Sequence, residues 1–123
     1  MSTIKTETLS TPSNSTVPVD TVVNGTAKAW VNFNGSGTVV IRRAFNVSSI
    51  TDNGTGDYTV NFTTAMPDAN YTTIGNCTYL FGTTARIRGL SPYELSTNNT
   101  RVITGYNDTT FADHQGVFVA IFS

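Results

Sequence analysis

The chain has 123 residues, with 7 Lys and Arg against 8 Asp and Glu and a formal net charge of −1. This length suits one domain, and the 12% of charged residues lies well below the roughly 25% of an average soluble protein. The weak, balanced charge argues against a nucleic-acid partner, which needs a concentrated positive field. Thr, Asn, Ser and Gly together make up 55 residues, 23 of them Thr. Because Thr favours strands while Asn and Gly favour turns, this composition predicts an all-β fold.

Residues 1–19 are predicted to form an extended N-terminal arm. After Met1, the large apolar side chains of this segment are Ile4, Leu9, Val17 and Val19. Since so few apolar groups cannot offset the entropy of ordering the chain, we expect the arm to order only against a partner. An idle tail is the alternative that the composition leaves open.

Residues 20–123 are predicted to form one β-domain, because apolar and polar side chains alternate with the period of a strand. Ala29, Val31 and Phe33 share one face, and Asn34-Gly35 then predicts a tight hairpin turn with two positive φ angles. A second turn is predicted at 52–56, and the further predicted strands are 71–81, 83–89, 100–106 and 116–122. Seven or eight short strands favour an antiparallel β-sandwich or a barrel-like domain.

The final strand, 116–122, is apolar on both faces. Such a strand must be covered on both sides, so it either runs through the middle of the sandwich or is covered by a second subunit. One face carries Val117, Val119 and Ile121. The other is the candidate subunit interface, formed by Phe118, Ala120 and Phe122.

The residue sets that carry catalysis or hold a metal are missing from the sequence. His114 is the only histidine and no G-x-S-x-G motif is present, so no Ser-His-Asp triad is predicted. Cys77 has no basic neighbour that would activate its thiol, and one Cys with one His cannot build a zinc site. The segment from Asp52 resembles a calcium loop, but Thr63 occupies the position of the bidentate Glu. The chain is therefore interpreted as a non-enzyme without a cofactor.

The segment 105–116 has the most varied side chains of the chain and is the candidate glycan or receptor loop. Aromatic rings beside carboxylates and amides are typical of a sugar site. The alternative is a polar loop with two packed rings. Arg86 and Arg88, with Arg42 and Arg43 nearby, could hold an anionic sugar or a neighbouring subunit's carboxylates, or could form a solvated face. The candidate loop residues are Tyr106, Asp108, Phe111, Asp113 and His114.

Membrane insertion and export are not expected. No apolar run approaches the roughly 20 residues that a membrane helix requires. The first seven residues lack the basic start and apolar stretch of a secretory signal, and the single cysteine, Cys77, fits a reducing cytoplasm. We therefore expect synthesis in a cytoplasm.

Three stretches carry a resemblance to a known group of proteins: AKAWVNFNG at 27–35, FNVSSITDNGTGDYTVNF at 45–62 and TTAMPDANY at 63–71. They resemble a β-rich structural module of tailed-bacteriophage virion proteins, which include tail fibres, head fibres and decoration proteins, notably of cyanobacterial and other aquatic phages. The opening MSTIKTETL at 1–9 is similar to the start of short stand-alone members.

The resemblance implies a virion surface protein, a homotrimer made in the cytoplasm of the bacterial host. It implies that the arm is a virion anchor, which adds to a sheet edge of a tail or capsid protein through Ile4, Leu9, Val17 and Val19. One expected function is a short tail fibre whose symmetric copies bind a host-surface carbohydrate. The other is a capsid decoration or head-fibre protein that aids assembly or particle stability.

Overall fold

Two four-stranded antiparallel sheets pack against each other in the computed structural model, which describes residues 2–79, 88–106 and 109–123. A small N-terminal hairpin and one short helix precede them. The elements are β1 (Thr8–Ser10), β2 (Thr16–Pro18), α1 (Val19–Gly25), β3 (Ala29–Asn34), β4 (Val40–Phe45), β5 (Val47–Gly54), β6 (Asp57–Phe62), β7 (Thr72–Thr78), β8 (Gly89–Leu95), β9 (Asn99–Gly105) and β10 (Gly116–Phe122). The predicted all-β antiparallel sandwich is confirmed.

Sheet I has the strand order β4-β3-β10-β7, and sheet II has the order β5-β6-β9-β8. The last strand, β10, is therefore an interior strand: Val119 lies opposite Val31 of β3 on one side and Gly75 of β7 on the other. Most of the predicted strand 83–89 lies outside the described residues. The strand β8 begins only at Gly89 and was not predicted, because Pro92 interrupts its pattern; as an edge strand it tolerates the proline beside a register shift.

The core lies between the sheets and uses the predicted alternation. Ala29, Val31 and Phe33 are all buried on the inner face of β3. The ring of Phe33 meets the ring of Tyr58 from sheet II edge to face, with 5.2 Å between centroids, the arrangement that aromatic quadrupoles favour. The inner face of β10 adds Val117, Val119 and Ile121.

The hairpin turn between β3 and β4 exists, but its predicted backbone is wrong. The positive φ angle lies at Gly37, with φ 67°, and not at Asn34 or Gly35. Glycine is needed at Gly35 for a different reason, because a Cβ there would lie 2.5 Å from Tyr58 Oη. Close approach of a distant side chain, rather than turn geometry, selects this residue.

Residues 2–26, here called the N-terminal segment, contain a hairpin and a helix, so an extended arm is not confirmed. Leu9 of β1 lies opposite Val17 of β2, and the turn closes with a hydrogen bond from Thr11 N to Ser15 O of 2.9 Å. This cross-strand apolar pair supplies the local contact that the composition did not indicate. The structure describes the whole segment, and none of its side chains is buried.

Candidate functional site

The outer face of sheet II is mostly polar, and its side chains bind one another; its exposed aromatic side chain, Tyr93, lies against the guanidinium of Arg101, 5.1 Å from ring centroid to Cζ. Asn61 Nδ2 donates to Ser49 Oγ at 3.1 Å and to Thr51 Oγ1 at 2.9 Å. Arg101 forms a bidentate ion pair with Asp57, with Nε–Oδ1 and Nη2–Oδ2 distances of 2.8 and 2.7 Å. This guanidinium holds the pKa of Asp57 below its ordinary value. The face is suited to contact with water.

The outer face of sheet I is apolar. The strand register places Phe45 opposite Trp30, Trp30 opposite Ala120, and Ala120 opposite Ile74. These four residues, here called the outer row, cross all four strands. Phe45, Trp30 and Ile74 are 53%, 36% and 52% exposed. The described parts of the chain leave these side chains partly uncovered, so the two outer faces of the sandwich differ in kind.

The candidate interface residues on β10 lie on this outer face. Phe118, Ala120 and Phe122 are half-buried, while the alternate residues of β10 are buried in the core. A groove of about 410 Å³ opens over Ala120 between the side chains of Trp30 and Ile74. The first interpretation is confirmed, because β10 runs through the middle of its sheet. Coverage by a second subunit stays a prediction, on a face that the described chain leaves partly open.

Local sequence patterns did not assign Trp30, Phe45 or Ile74 to this surface. Each alternates with inward-facing neighbours on its own strand, which is a detectable pattern. Their alignment into one row, however, depends on the pairing of β10 between β3 and β7. A second groove, of about 600 Å³, continues the apolar surface from Phe45 to Val22 and Val23 of helix α1.

The predicted glycan loop is divided between the surface and the interior. Tyr106 and Phe111 are exposed. The Arg88 guanidinium carbon lies 5.4 Å from the ring centroid of Tyr106 and 5.3 Å from that of Tyr79. Tyr79, Arg88, Tyr106 and Ala112 line a pocket of about 290 Å³. The arginine covers one face of each tyrosine ring and leaves the exposed Tyr106 available for contact.

Asp113 lies inside this region and binds the protein itself. Its Oδ1 accepts a hydrogen bond of 2.8 Å from Gly56 N and lies 2.8 Å from Tyr58 Oη, which is also 2.7 Å from Gly35 O. Burial and the neighbouring carboxylate of Asp113 raise the pKa of Tyr58 well above its ordinary value. Asp113 thus joins two hairpin turns.

His114 is fully buried, and Asp108 lies outside the described residues. The Nδ1 atom of His114 is 2.8 Å from Ala112 O, and its ring meets Tyr79 edge to face. Burial lowers the pKa of His114, which favours the neutral imidazole. Of the five predicted loop residues, the structure therefore presents Tyr106 and Phe111 to solvent and places Asp113 and His114 in internal contacts.

Cys77 lies on the inner face of sheet I, where burial raises the pKa of its thiol to about 11. A thiol with this pKa is a poor nucleophile at neutral pH. Within residues 2–79, 88–106 and 109–123, no group of three His, Cys, Asp or Glu residues is placed to hold a metal ion. The helix found in those ranges, α1, has seven residues and is too short to cross a membrane.

No family model matches the chain, and neither a curated protein nor a solved structure matches it. The resemblance of residues 27–71 to phage virion modules therefore stays a prediction from the sequence.

Proposed function

We propose that this chain is a structural protein of a bacteriophage particle, a short tail-fibre or receptor-binding component whose β-sandwich assembles as a homotrimer. The observation that supports assembly is the contrast between the two outer faces. Sheet II carries polar groups that bind one another, whereas sheet I exposes Phe45, Trp30 and Ile74 in one row. Contiguous apolar surface on a protein exposed to water marks a site of contact.

The strength of this contact can be estimated from the two aromatic side chains of the outer row. Trp30 and Phe45 are 36% and 53% exposed, so rings of roughly 150–250 Å² each leave about 200 Å² uncovered. Covering that area contributes roughly 5 kcal/mol per copy at about 25 cal/mol per Å². Association costs about 4–15 kcal/mol. The outer row therefore favours assembly, but a stable complex needs further contacts.

In this proposal each copy has two further tasks. The N-terminal segment attaches the protein to a tail or capsid protein through Ile4, Leu9, Val17 and Val19. The exposed Tyr106, beside Arg88, contacts a host-surface carbohydrate, and symmetric copies convert a weak single contact into useful avidity.

The alternative is a capsid decoration or head-fibre protein. It is favoured by the internal position of Asp113 and His114, because this leaves fewer polar groups for a sugar than the sequence suggested. On this alternative the protein binds the shell and stabilises the particle without reading a host receptor.

The test is immunogold labelling of purified particles of the phage that encodes the chain, with antibodies against the protein. Label on tails supports the fibre, and label spread over heads supports the decoration protein. If intact particles carry no label but mass spectrometry of the digested particles detects the protein, the protein is internal, and both the fibre and the decoration proposals are rejected. Label absent together with absence from the digests would reject a virion role altogether.

A further inference from the structure

We propose that the N-terminal segment of one copy lies across the outer face of sheet I of a neighbouring copy. This inference rests on the self-association contained in the proposed function, and it adds which part of the neighbour covers the apolar face. It differs from the packing of one outer row directly on another, and it assigns Ile4 and Leu9 to the neighbouring copy in place of the tail or capsid contact proposed for them above.

The N-terminal segment has regular structure but no contact that buries a side chain. Its hairpin has two strands of three residues, and helix α1 has seven residues. Isolated two-stranded hairpins and helices shorter than about 12 residues are at best marginally stable in water. Ile4 is 90% exposed and Val23 is 51% exposed. In a single copy, the sandwich therefore leaves these apolar side chains largely uncovered.

The link between the N-terminal segment and the sandwich is held by hydrogen bonds of Lys28. Lys28 Nζ donates to Thr26 O at 3.0 Å and also to Val23 O. These bonds fix the end of helix α1 directly before β3 begins at Ala29. Helix α1 shares a groove with Phe45 of its own sheet, whereas Ile4 and Leu9 further along the segment are 90% and 48% exposed. These two side chains are therefore the part of the segment that a second molecule can cover.

The outer face of sheet I offers the matching surface. Ala120 is the small member of the outer row, and the groove of about 410 Å³ above it has walls formed by Trp30 and Ile74. A branched aliphatic side chain such as Ile4 or Leu9 is the kind of group that fills an apolar groove of this kind. The groove can therefore bury the exposed aliphatic side chains of the N-terminal segment, and these side chains can cover the outer row.

The charges of the two surfaces are complementary. The N-terminal segment carries Lys5, Glu7 and Asp20, all exposed, and these side chains sum to a charge of −1. The edge strand of sheet I carries Arg42 and Arg43, both exposed, and Arg43 lies opposite Asn32 on the outer face. Attraction between this net negative segment and the basic edge favours such docking.

The size of the segment also fits. A stable interface uses about 20–30 residues on each side and buries about 800 Å² per partner. The aromatic side chains of the outer row expose only about 200 Å², which falls short of that area. The N-terminal segment, residues 2–26, has enough residues to extend the contact over the rest of the face. A second copy supplies such a segment for every face.

The test uses two full-length variants and their mixture, followed by molar mass from light scattering. The segment variant carries Ile4→Asp with Leu9→Asp, and the face variant carries Phe45→Lys with Ile74→Lys. All four positions are exposed, so the sandwich should fold, and circular dichroism checks this. Serine at all four positions gives a milder second set if a variant fails to fold. Phe111→Lys, an aromatic-to-lysine change at an exposed residue outside sheet I and the N-terminal segment, is the matched control.

If the proposal holds, each variant alone has the mass of one chain, and the control keeps the wild-type mass. An equimolar mixture gives a complex of twice the chain mass, because the intact face of one variant receives the intact segment of the other. If the segment variant keeps the wild-type molar mass while the face variant becomes monomeric, the outer faces pack on each other. That result would overturn this proposal but not the self-association on which it rests. A mixture that stays monomeric would overturn it too. A monomeric wild type would overturn both this proposal and the self-association on which it rests.

Discussion

Removal of the Tyr58 hydroxyl is expected to destabilise the fold more than removal of any comparable hydroxyl bound to neutral groups. Tyr58 Oη lies 2.8 Å from Asp113 Oδ1 and 2.7 Å from Gly35 O, in a fully buried site. Tyr58→Phe keeps the edge-to-face contact with Phe33 and removes only these hydrogen bonds. A hydrogen bond to a charged group contributes about 1.5–3 kcal/mol, so we expect a loss near 2 kcal/mol in the free energy of unfolding.

Tyr71→Phe is the matched control. Tyr71 is also buried and donates from Oη to the carbonyl oxygens of Ser96 and Asn99, each at 2.8 Å. Both acceptors are neutral, so its loss should be about 0.5–1.5 kcal/mol. Urea unfolding of the full-length proteins at pH 7, at a concentration where their molar masses agree, measures both. A Tyr58→Phe loss equal to or below that of Tyr71→Phe would refute the role assigned to Asp113.

Three further outcomes are expected. Burial lowers the pKa of His114 from its ordinary value of 6.5, so below that pH the folded protein binds fewer protons than the unfolded chain. The free energy of unfolding should therefore fall as the pH drops through 6.5. His114→Gln should reduce this pH dependence, measured as urea midpoints between pH 8 and pH 5. Arg101→Gln should raise the pKa of Asp57 toward its ordinary value in an NMR titration, and an unchanged pKa would contradict the ion pair's effect. Gly35→Ala, which forces a Cβ against the tyrosine hydroxyl, should cost roughly 1–3 kcal/mol, whereas Gly25→Ala has open space and should leave the thermal midpoint nearly unchanged.

Local patterns were sufficient to predict the fold class and most strands. The alternation of Ala29, Val31 and Phe33 indicated an inward face because side chains in a strand alternate strictly between two sides. The apolar character of 116–122 on both faces left two alternatives, and the interior strand is the one that the strand order confirms. The alternation within a strand depends only on residues that are close in the sequence, and so it can be predicted from one sequence.

Features that depend on distant parts of the chain could not be predicted. Asp113 binds Gly56 and Tyr58, which lie more than 50 positions earlier, so its internal role is invisible in the loop sequence. Trp30 and Ile74 become neighbours of Ala120 only through the strand order of sheet I. The candidate ligand residues in 105–116 were predicted from their chemical type, whereas the packing of the fold determines which of them face solvent.

The polar face of sheet II has a consequence for behaviour in salt. Most of its outward groups are uncharged amides and hydroxyls, as in the contacts of Asn61 with Ser49 and Thr51. Ionic screening weakens interactions between exposed charges and has little effect on neutral hydrogen bonds. The hydration of this face should therefore change little between dilute buffer and concentrated salt, so that colloidal stability of the assembled protein does not depend on charge repulsion.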